Sequence, residues 1–457
     1  VTTIARPTPG AVRPYEFPSV HRARLGNGLG IVVAPMPRLP IVTVLALVDA
    51  GALDDPARME GAAVLTSKTL LEGAGALDGA ALTERLEGLG TTLLGATDWD
   101  SSSLRFTATT SRLEEVFALF ADVLRSPTFP AADVARRRDE RLAAIAQELA
   151  EPRGLADLRF AGFLFEPSAR FARDVDGTAA SVARLDAEAA RGFHAVRYAP
   201  SRTTLIFVGD VTPARAEALA ARAFADWGVP SQSSRAVRAN PAIAARRTVV
   251  IDKPGAAQSE LRVGHLGVPR VHPDHLAIVV MNAVLGGLFS SRINLNLRER
   301  HAFTYGASSV FEWRRNAGPF VVSTAVKSEV TDRALEEILR EIDGMRAAPP
   351  SASEVQLATE YLAGVFPIRY ETTAAVAGAL AAATLYSLPE DWFSTYRARI
   401  RAITPAEVHA AARAYLDPSR ILALAVGDAK VIGDPLARLG VGTVETFPSD
   451  RDPAGDA

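Results

Sequence analysis

The sequence predicts an α+β protein built from two homologous halves, each a mainly antiparallel sheet packed against helices. Three observations lead there. The chain has 457 residues, more than one compact core accommodates. Strand-like and helix-like segments alternate, so several helices must meet each sheet. The sequence also repeats. Pro200-Ser201-Arg202 with Val208-Gly209-Asp210 recurs as Pro418-Ser419-Arg420 with Val426-Gly427-Asp428, and Asp186 and Thr404 precede them at equal distances. Thr107-Ala108 with Ser111 likewise matches Thr324-Ala325 with Ser328. Short matches in the same order mark a duplicated unit of domain size.

In the first half, Arg24 to Ala34 and Ile41 to Asp49 read as strands, with a hairpin turn at Asn27-Gly28. Asp78 caps a helix presenting Leu82, Leu86 and Leu89. Leu104 to Thr109 reads as a strand. Ser111 and Glu114 have capping-box spacing before an amphipathic helix containing Val116, Phe117, Phe120, Val123 and Leu124. A helix spans Arg138 to Ala150, and Leu205 to Val208 is the half's last strand. The second half repeats this course. Strands fall at 248–251, 261–265 and 320–326, and helices at 275–285 and 333–345, with a further helix opened by Ser351 and Glu354. Asp186 and Thr404 are N-cap types; Pro405 and Glu407 complete the second start. The domains are read as 16–228 and 248–435, with a Pro-, Ser-, Ala- and Arg-rich linker at 229–247. Tails 1–15 and 445–457 read as loosely ordered.

Hydrophobic residues make up 48% and charged residues 22% of the chain, an ordinary globular balance. Its 50 basic and 52 acidic side chains leave a formal charge of −2, which offers no field for nucleic acid. No apolar run in the sequence reads as a membrane span; Ile41 to Val48 suits a buried strand instead. The absence of cysteine excludes disulfides, thiolate metal sites and cysteine nucleophiles. The chain begins at Val1, so a removed leader or tag is expected, with the bacterial periplasm as the favoured compartment and the cytoplasm as the alternative.

The most informative stretch runs from Asn282 to Tyr305. It contains Asn282, Leu285-Gly286-Gly287, Ser290-Ser291-Arg292, Leu297-Arg298-Glu299 and Tyr305. This segment resembles the C-terminal-half signature of the pitrilysin/insulinase-like zinc peptidases, in the two-domain form of the processing peptidases. The resemblance covers roughly residues 16–435. It implies that Arg298 and Tyr305 grip a substrate backbone, as five guanidinium donors and one phenol physically could. Family members usually have glycine where this chain has Ala302, a position where an unusual backbone angle is expected.

The same resemblance implies an H-x-x-E-H zinc helix in the first half. Asp49-Ala50-Gly51 to Pro56, Gly61-Ala62-Ala63 and Leu70-Leu71-Glu72-Gly73 frame where it should lie. That frame puts Val64 at the first histidine, Ser67 at the glutamate and Lys68 at the second histidine. Valine has no lone pair, serine is a poor base, and lysine brings positive charge to a dication site. The third ligand would come from the helix ending at Ala150, where Glu140 and Glu148 read equally well as solvated charges. Among the seven histidines, His21, His194, His265, His272, His275, His301 and His409, only His272 and His275 are close, and they read as a helix entry. His194 and His409 read as structural residues without partners. Ser290-Ser291-Arg292 reads as a helix cap, since no base lies nearby to activate a serine.

What the resemblance implies is therefore a non-zinc-binding subunit of a heteromeric metalloendopeptidase, without a cofactor of its own. A homologous partner with H-x-x-E-H would hold the zinc. The two chains would close like a clamshell around an unfolded peptide held partly by strand addition. The alternative is a non-catalytic scaffold protein of the same fold.

Overall fold

The first half supplies strands β1 (His21–Arg24), β2 (Gly30–Pro35), β3 (Ile41–Val48), β4 (Leu94–Thr97), β5 (Ser102–Thr109) and β6 (Thr203–Gly209). A computed structural model describes residues 14–228, 245–453 and 455. These strands form one sheet in the order β1-β2-β6-β3-β5-β4, with only β2 and β6 parallel. The β1–β2 hairpin turns where Asn27-Gly28 signalled it: Gly28 takes φ +94, and the Asn27 amide donates to the Phe224 carbonyl at 2.6 Å.

The second half supplies β7 (Arg247–Asp252), β8 (Gln258–Leu266), β9 (Ala307–Trp313), β10 (Ala317–Lys327), β11 (Leu422–Gly427) and β12 (Thr443–Pro448). Their order is β9-β10-β8-β11-β7-β12, and the repeat is visible in it. β6 and β11, which carry the duplicated Val-Gly, occupy equivalent central positions. β5 and β10, which carry the duplicated Thr-Ala, each pair antiparallel with the next strand inward. The position beyond β2 is filled by the N-terminal hairpin strand β1. The position beyond β7 is filled by β12, which runs parallel to β7. The expected loose tail therefore contains a sheet strand up to Pro448. Sequence reading also misses β9, whose Ser-rich pattern with exposed Ser308 and Val310 gives a weak strand signal. Most of the expected linker, 229–244, lies outside the described residues, and Arg247 already belongs to β7.

The helix starts follow local chemistry. Asp78, Asp186, Ser351 and Thr404 each accept a hydrogen bond from the first turn, and Ser351 and Thr404 form full capping boxes. The expected Ser111–Glu114 box does not form. Its helix spans Leu113–Arg125 with Arg112 at the cap, and Glu114 instead accepts from Arg222 at 3.1 Å, a partner distant in sequence. The helix expected from Arg138 starts at Ala131, behind Pro130. His275–Asn282 is α-helical and continues as a wider turn over Ala283–Gly287. The His275–Arg300 stretch has the length and hydropathy of a membrane span, but 56% of its most apolar window is buried within the fold.

Each sheet is covered on both faces. Along β3, Val42, Val44, Ala46 and Val48 face the core beneath the first half's own helices, and Leu45 and Leu47 face the opposite way. What covers that opposite face is the Thr373–Leu385 helix of the second half, through Val376, Ala377, Leu380 and Ala381. The relation is reciprocal. The Pro152–Leu164 helix of the first half lays Leu155, Phe160, Phe163 and Leu164 on Val249, Ile251, Leu422, Leu424 and Val426 of the second sheet. Polar links reinforce the join: Thr43 shares its hydroxyl with Thr373 at 2.7 Å, and Arg315 reaches Asp49 at 2.8 Å.

Leu155 is fully buried between the two halves. Leu155→Ala is expected to cost about 2–5 kcal/mol, read as a lowered urea midpoint in the full chain.

Candidate functional site

The helix Ala62–Thr69 carries the three motif positions. Asp55, in the preceding turn, accepts from the Gly61 and Ala63 amides at 2.8 Å each and pairs with Arg170 at 2.9 Å. Burial pushes its carboxyl up to about 6, against the pull of Arg170 and those amides. The start of the helix is thus firmly held. Val64 is buried, with a side chain that offers no donor atom. Ser67 is buried too, and Tyr198 turns its phenol toward Ser67 and Ser102, outside strict hydrogen-bond geometry. Burial pushes Tyr198 to about 12, so the position expected for a general base faces a neutral phenol.

Lys68 points outward and ends 3.6 Å from Asp176. Asp176 is 3.7 Å from the guanidinium of Arg141, on the Ala131–Ala150 helix. Arg141 also holds Glu148 at 2.8 Å and Asp174 at 3.5 Å. Two cations and three carboxylates therefore form one chain of charges joining the motif helix, its neighbour helix and the 174–176 loop. Glu148 is spent on Arg141. Glu140 lies in a separate group, accepting from Arg136 and Arg137, which also hold Glu72. These residues do not fit zinc, because ammonium and guanidinium groups oppose a dication where the second histidine and the neighbour-helix ligand would converge. Among the described residues no cluster of His, Cys, Asp or Glu could hold a metal ion. Arg141 carries this arrangement, and sequence reading overlooked it because an arginine in a helix rich in arginine carries no local signal.

His194 and His409, read from the sequence as lacking partners, each have one. His194 bonds the Leu124 carbonyl at 2.9 Å, and His409 bonds that of Arg346 at 2.8 Å. Each ties a helix to the end of another.

The Asn282–Tyr305 segment folds as a helix, a double-glycine turn and a second helical run. Gly286 abuts Ser309 so closely that an added Cβ would lie 2.4 Å from its hydroxyl. Asn282 exchanges bonds with the Ser309 carbonyl and hydroxyl at 3.0 and 2.7 Å, which binds the turn to β9. Ser291 occupies the N-cap position, but its buried hydroxyl makes no capping bond. Arg292 is a clamp, reaching both oxygens of Glu354 at 2.6 and 3.0 Å. Helical structure ends at Arg300, and Ala302 takes φ +52. Alanine thus adopts the backbone angle expected at the glycine position, and the chain reverses with the Phe303 amide bonded to the Leu297 carbonyl at 2.8 Å.

Arg298 lies 4.5 Å over the Phe289 ring and 3.3 Å from Glu299. Tyr305 is 96% exposed, in the loop before β9 and outside the strand. Both β4 and β9 are sheet edges. β4 runs against the motif helix at Gly95, where an added Cβ would lie 3.1 Å from Ser67, and β9 begins two residues after Tyr305. A free edge therefore adjoins each half of the candidate site.

Comparison with known proteins gives this arrangement a context. Residues 31–160 match the model of the insulinase family, peptidase family M16, and residues 184–362 match that of the peptidase M16 inactive domain. A Streptomyces coelicolor protein described as an uncharacterized zinc protease is 24% identical over 400 residues, spanning 86% of this chain and 87% of its own. One of the same description from Mycobacterium leprae is 25% identical over 313 residues, spanning 67% and 69%. The solved peptidase M16 inactive domain from Pseudomonas fluorescens has a TM-score of 0.84 at 26% identity, covering 90% of this chain and 98% of that one. A Helicobacter pylori protease reaches 0.83 at 16% identity over 90% and 100%, a likeness of fold.

Two outcomes follow for the site's charges. Arg141→Ala leaves three carboxylates without their shared cation and is expected to cost about 2 kcal/mol, measured by urea denaturation. Glu354 is held down to about 2, chiefly by Arg292. A depressed carboxylate contributes stability above its ordinary range and loses it as pH falls toward its folded value. Urea midpoints of Arg292→Gln and the parent are expected to differ at neutral pH and to converge as pH falls from about 4 through about 2.

Proposed function

We propose a function from one premise: this chain belongs to the pitrilysin/insulinase-like (M16) peptidase family. It acts as the zinc-free subunit of a two-chain metalloendopeptidase. A homologous partner with H-x-x-E-H supplies the metal chemistry, and this chain supplies Arg298 and Tyr305 to hold the substrate backbone. The observation that carries the proposal is the Lys68–Asp176–Arg141–Glu148 chain of charges. Here the helix where the family resemblance expects zinc ligands carries Val64, Ser67 and Lys68, and Lys68 and the neighbouring helix's Arg141 are already paired with carboxylates.

The substrate is an extended peptide. Its backbone groups would complete the open edge at β9, or that at β4, as an added strand, and alternate side chains would face pockets. Arg298 and Tyr305 would donate to its carbonyls. Donors of this kind fix register and, when aimed at developing negative charge, favour the transition state.

The lone chain is expected to bind no stoichiometric zinc by metal analysis and to cleave no peptide. With an H-x-x-E-H partner added, cleavage should appear. Arg298→Ala or Tyr305→Phe should then lower kcat/KM about 10²-fold or more, near 3 kcal/mol of transition-state stabilisation. Unchanged rates in both variants would instead identify a scaffold.

A further inference from the structure

The second half contains a cavity of about 400 Å³ that the reading above does not use. It lies between the His275–Asn282, Ala352–Arg369 and Trp392–Ala402 helices and strand β9. Its size falls in the lower part of the roughly 300–1,000 Å³ range of small-ligand sites. Arg270, His275, Trp313, Arg369, Trp392 and Tyr396 give it its chemistry, and no aspartate or glutamate lines it.

Arg270 is the unusual member. It is half-buried, and its guanidinium lies 4.8 Å over the Trp392 ring. Its backbone amide is fixed to the Arg314 carbonyl at 2.7 Å. No carboxylate among the described residues lies within ion-pair distance of it, although most arginines of comparable burial in this chain have one, such as Arg141, Arg170 and Arg262. Desolvation lowers its pKa, and the ionisable neighbours that oppose the shift are phenols. A guanidinium withdrawn from water without a counter-ion is costly. Arg399 adds a second cation 5.4 Å from Trp392. His275 is 7% exposed and packs on Trp313 at 4.2 Å, and its Nδ1 has no hydrogen-bond partner. Burial, with Arg270, His272 and Arg399 nearby, pushes it down to about 3, so it is neutral at physiological pH.

We propose that this cavity binds a carboxylate carried on an apolar or aromatic body, and that the carrier is a peptide C-terminus. Arg270 supplies a planar fork of donors that matches two carboxylate oxygens. Trp313, Trp392 and Tyr396 supply walls for the adjoining apolar group. Arg369, exposed at the mouth, adds attraction for an anion on approach. Asn282, Gly287 and Leu288 line the same cavity, so it adjoins the turn that leads through Phe289 to Arg298. The carboxylate site stands on these residues alone. The choice of a peptide carrier rests on the peptide-handling reading above.

The test is calorimetric titration of the full lone chain with three probes. These are N-acetyl-Ala-Ala-Leu-Phe as the free acid, the same peptide as the C-terminal amide, and 3-phenylpropionate. The acid peptide is expected to bind at least about tenfold more tightly than the amide, as loss of a charge-assisted contact predicts. Arg270→Gln should abolish that preference. If that variant does not fold by circular dichroism, Arg369→Gln should reduce the preference severalfold. Binding of 3-phenylpropionate without either peptide would keep the carboxylate site and overturn the peptide carrier. Equal binding of acid and amide, or no binding by any probe, would overturn the site itself. Because no partner chain or cleavage enters the measurement, its failure is separable from failure of the two-subunit reading.

Discussion

Everything in this fold depends on each half using a helix of the other to cover its sheet. A sheet with apolar side chains on both faces cannot leave one face in water. Leu45, Leu47, Ile206 and Val208 require the Thr373–Leu385 helix, and Val249, Ile251, Leu422 and Leu424 require the Pro152–Leu164 helix. Neither half can bury its second face alone. Thr373–Leu385 meets its sheet with alanines beside Val376 and Leu380, and Pro152–Leu164 meets the other with Phe160 and Phe163. The exchange explains why strands that pair antiparallel still read as continuous apolar runs, a pattern more usual in parallel sheets with helices on both sides.

This rigid base lets the two halves diverge at their edges. β4 and β9 occupy equivalent edge positions, yet their surroundings differ. Beside β4 stands a helix whose start is held by Asp55 and which carries Val64, Ser67 and Lys68. Beside β9 stands the Asn282–Tyr305 turn, held by Asn282, Ser309 and the Arg292–Glu354 clamp. Around the first site, ion pairs of Lys68 and Arg141 tie three elements together. The second keeps donors in the open, with Tyr305 almost wholly in solvent.

Local chemistry was legible in the sequence, and long-range competition was not. Asp78, Asp186, Ser351 and Thr404 cap their helices because each cap needs only a few neighbouring residues. Ser111 and Glu114 have the same spacing, but Arg222 offers Glu114 a charged partner that no local pattern reveals. Sequence reading starts the helix behind Pro130 too late, because in the turns before Arg138 only Val134 is buried and no side-chain cap marks the beginning. β12 was read as a loose tail because its exposed, mixed composition looks like a terminus; its order comes from backbone pairing with β7. The turn at Ala302 was anticipated in place, and its left-handed angle is set by the surrounding reversal, since alanine does not favour it.

By itself the sequence determined the duplication, the alternation of strands and helices, and that Val64, Ser67 and Lys68, which no zinc site would use, stand where the family resemblance expects ligands. Those properties are written in residue identity and spacing. Only the tertiary structure decided which charges gather around Lys68, which strands became edges, and which helix covers which sheet. Arg141, Asp174 and Asp176 are far from Lys68 in the chain and meet it through packing alone. The same holds for Arg270, which packing sets over Trp392 with no carboxylate among the described residues in ion-pair reach.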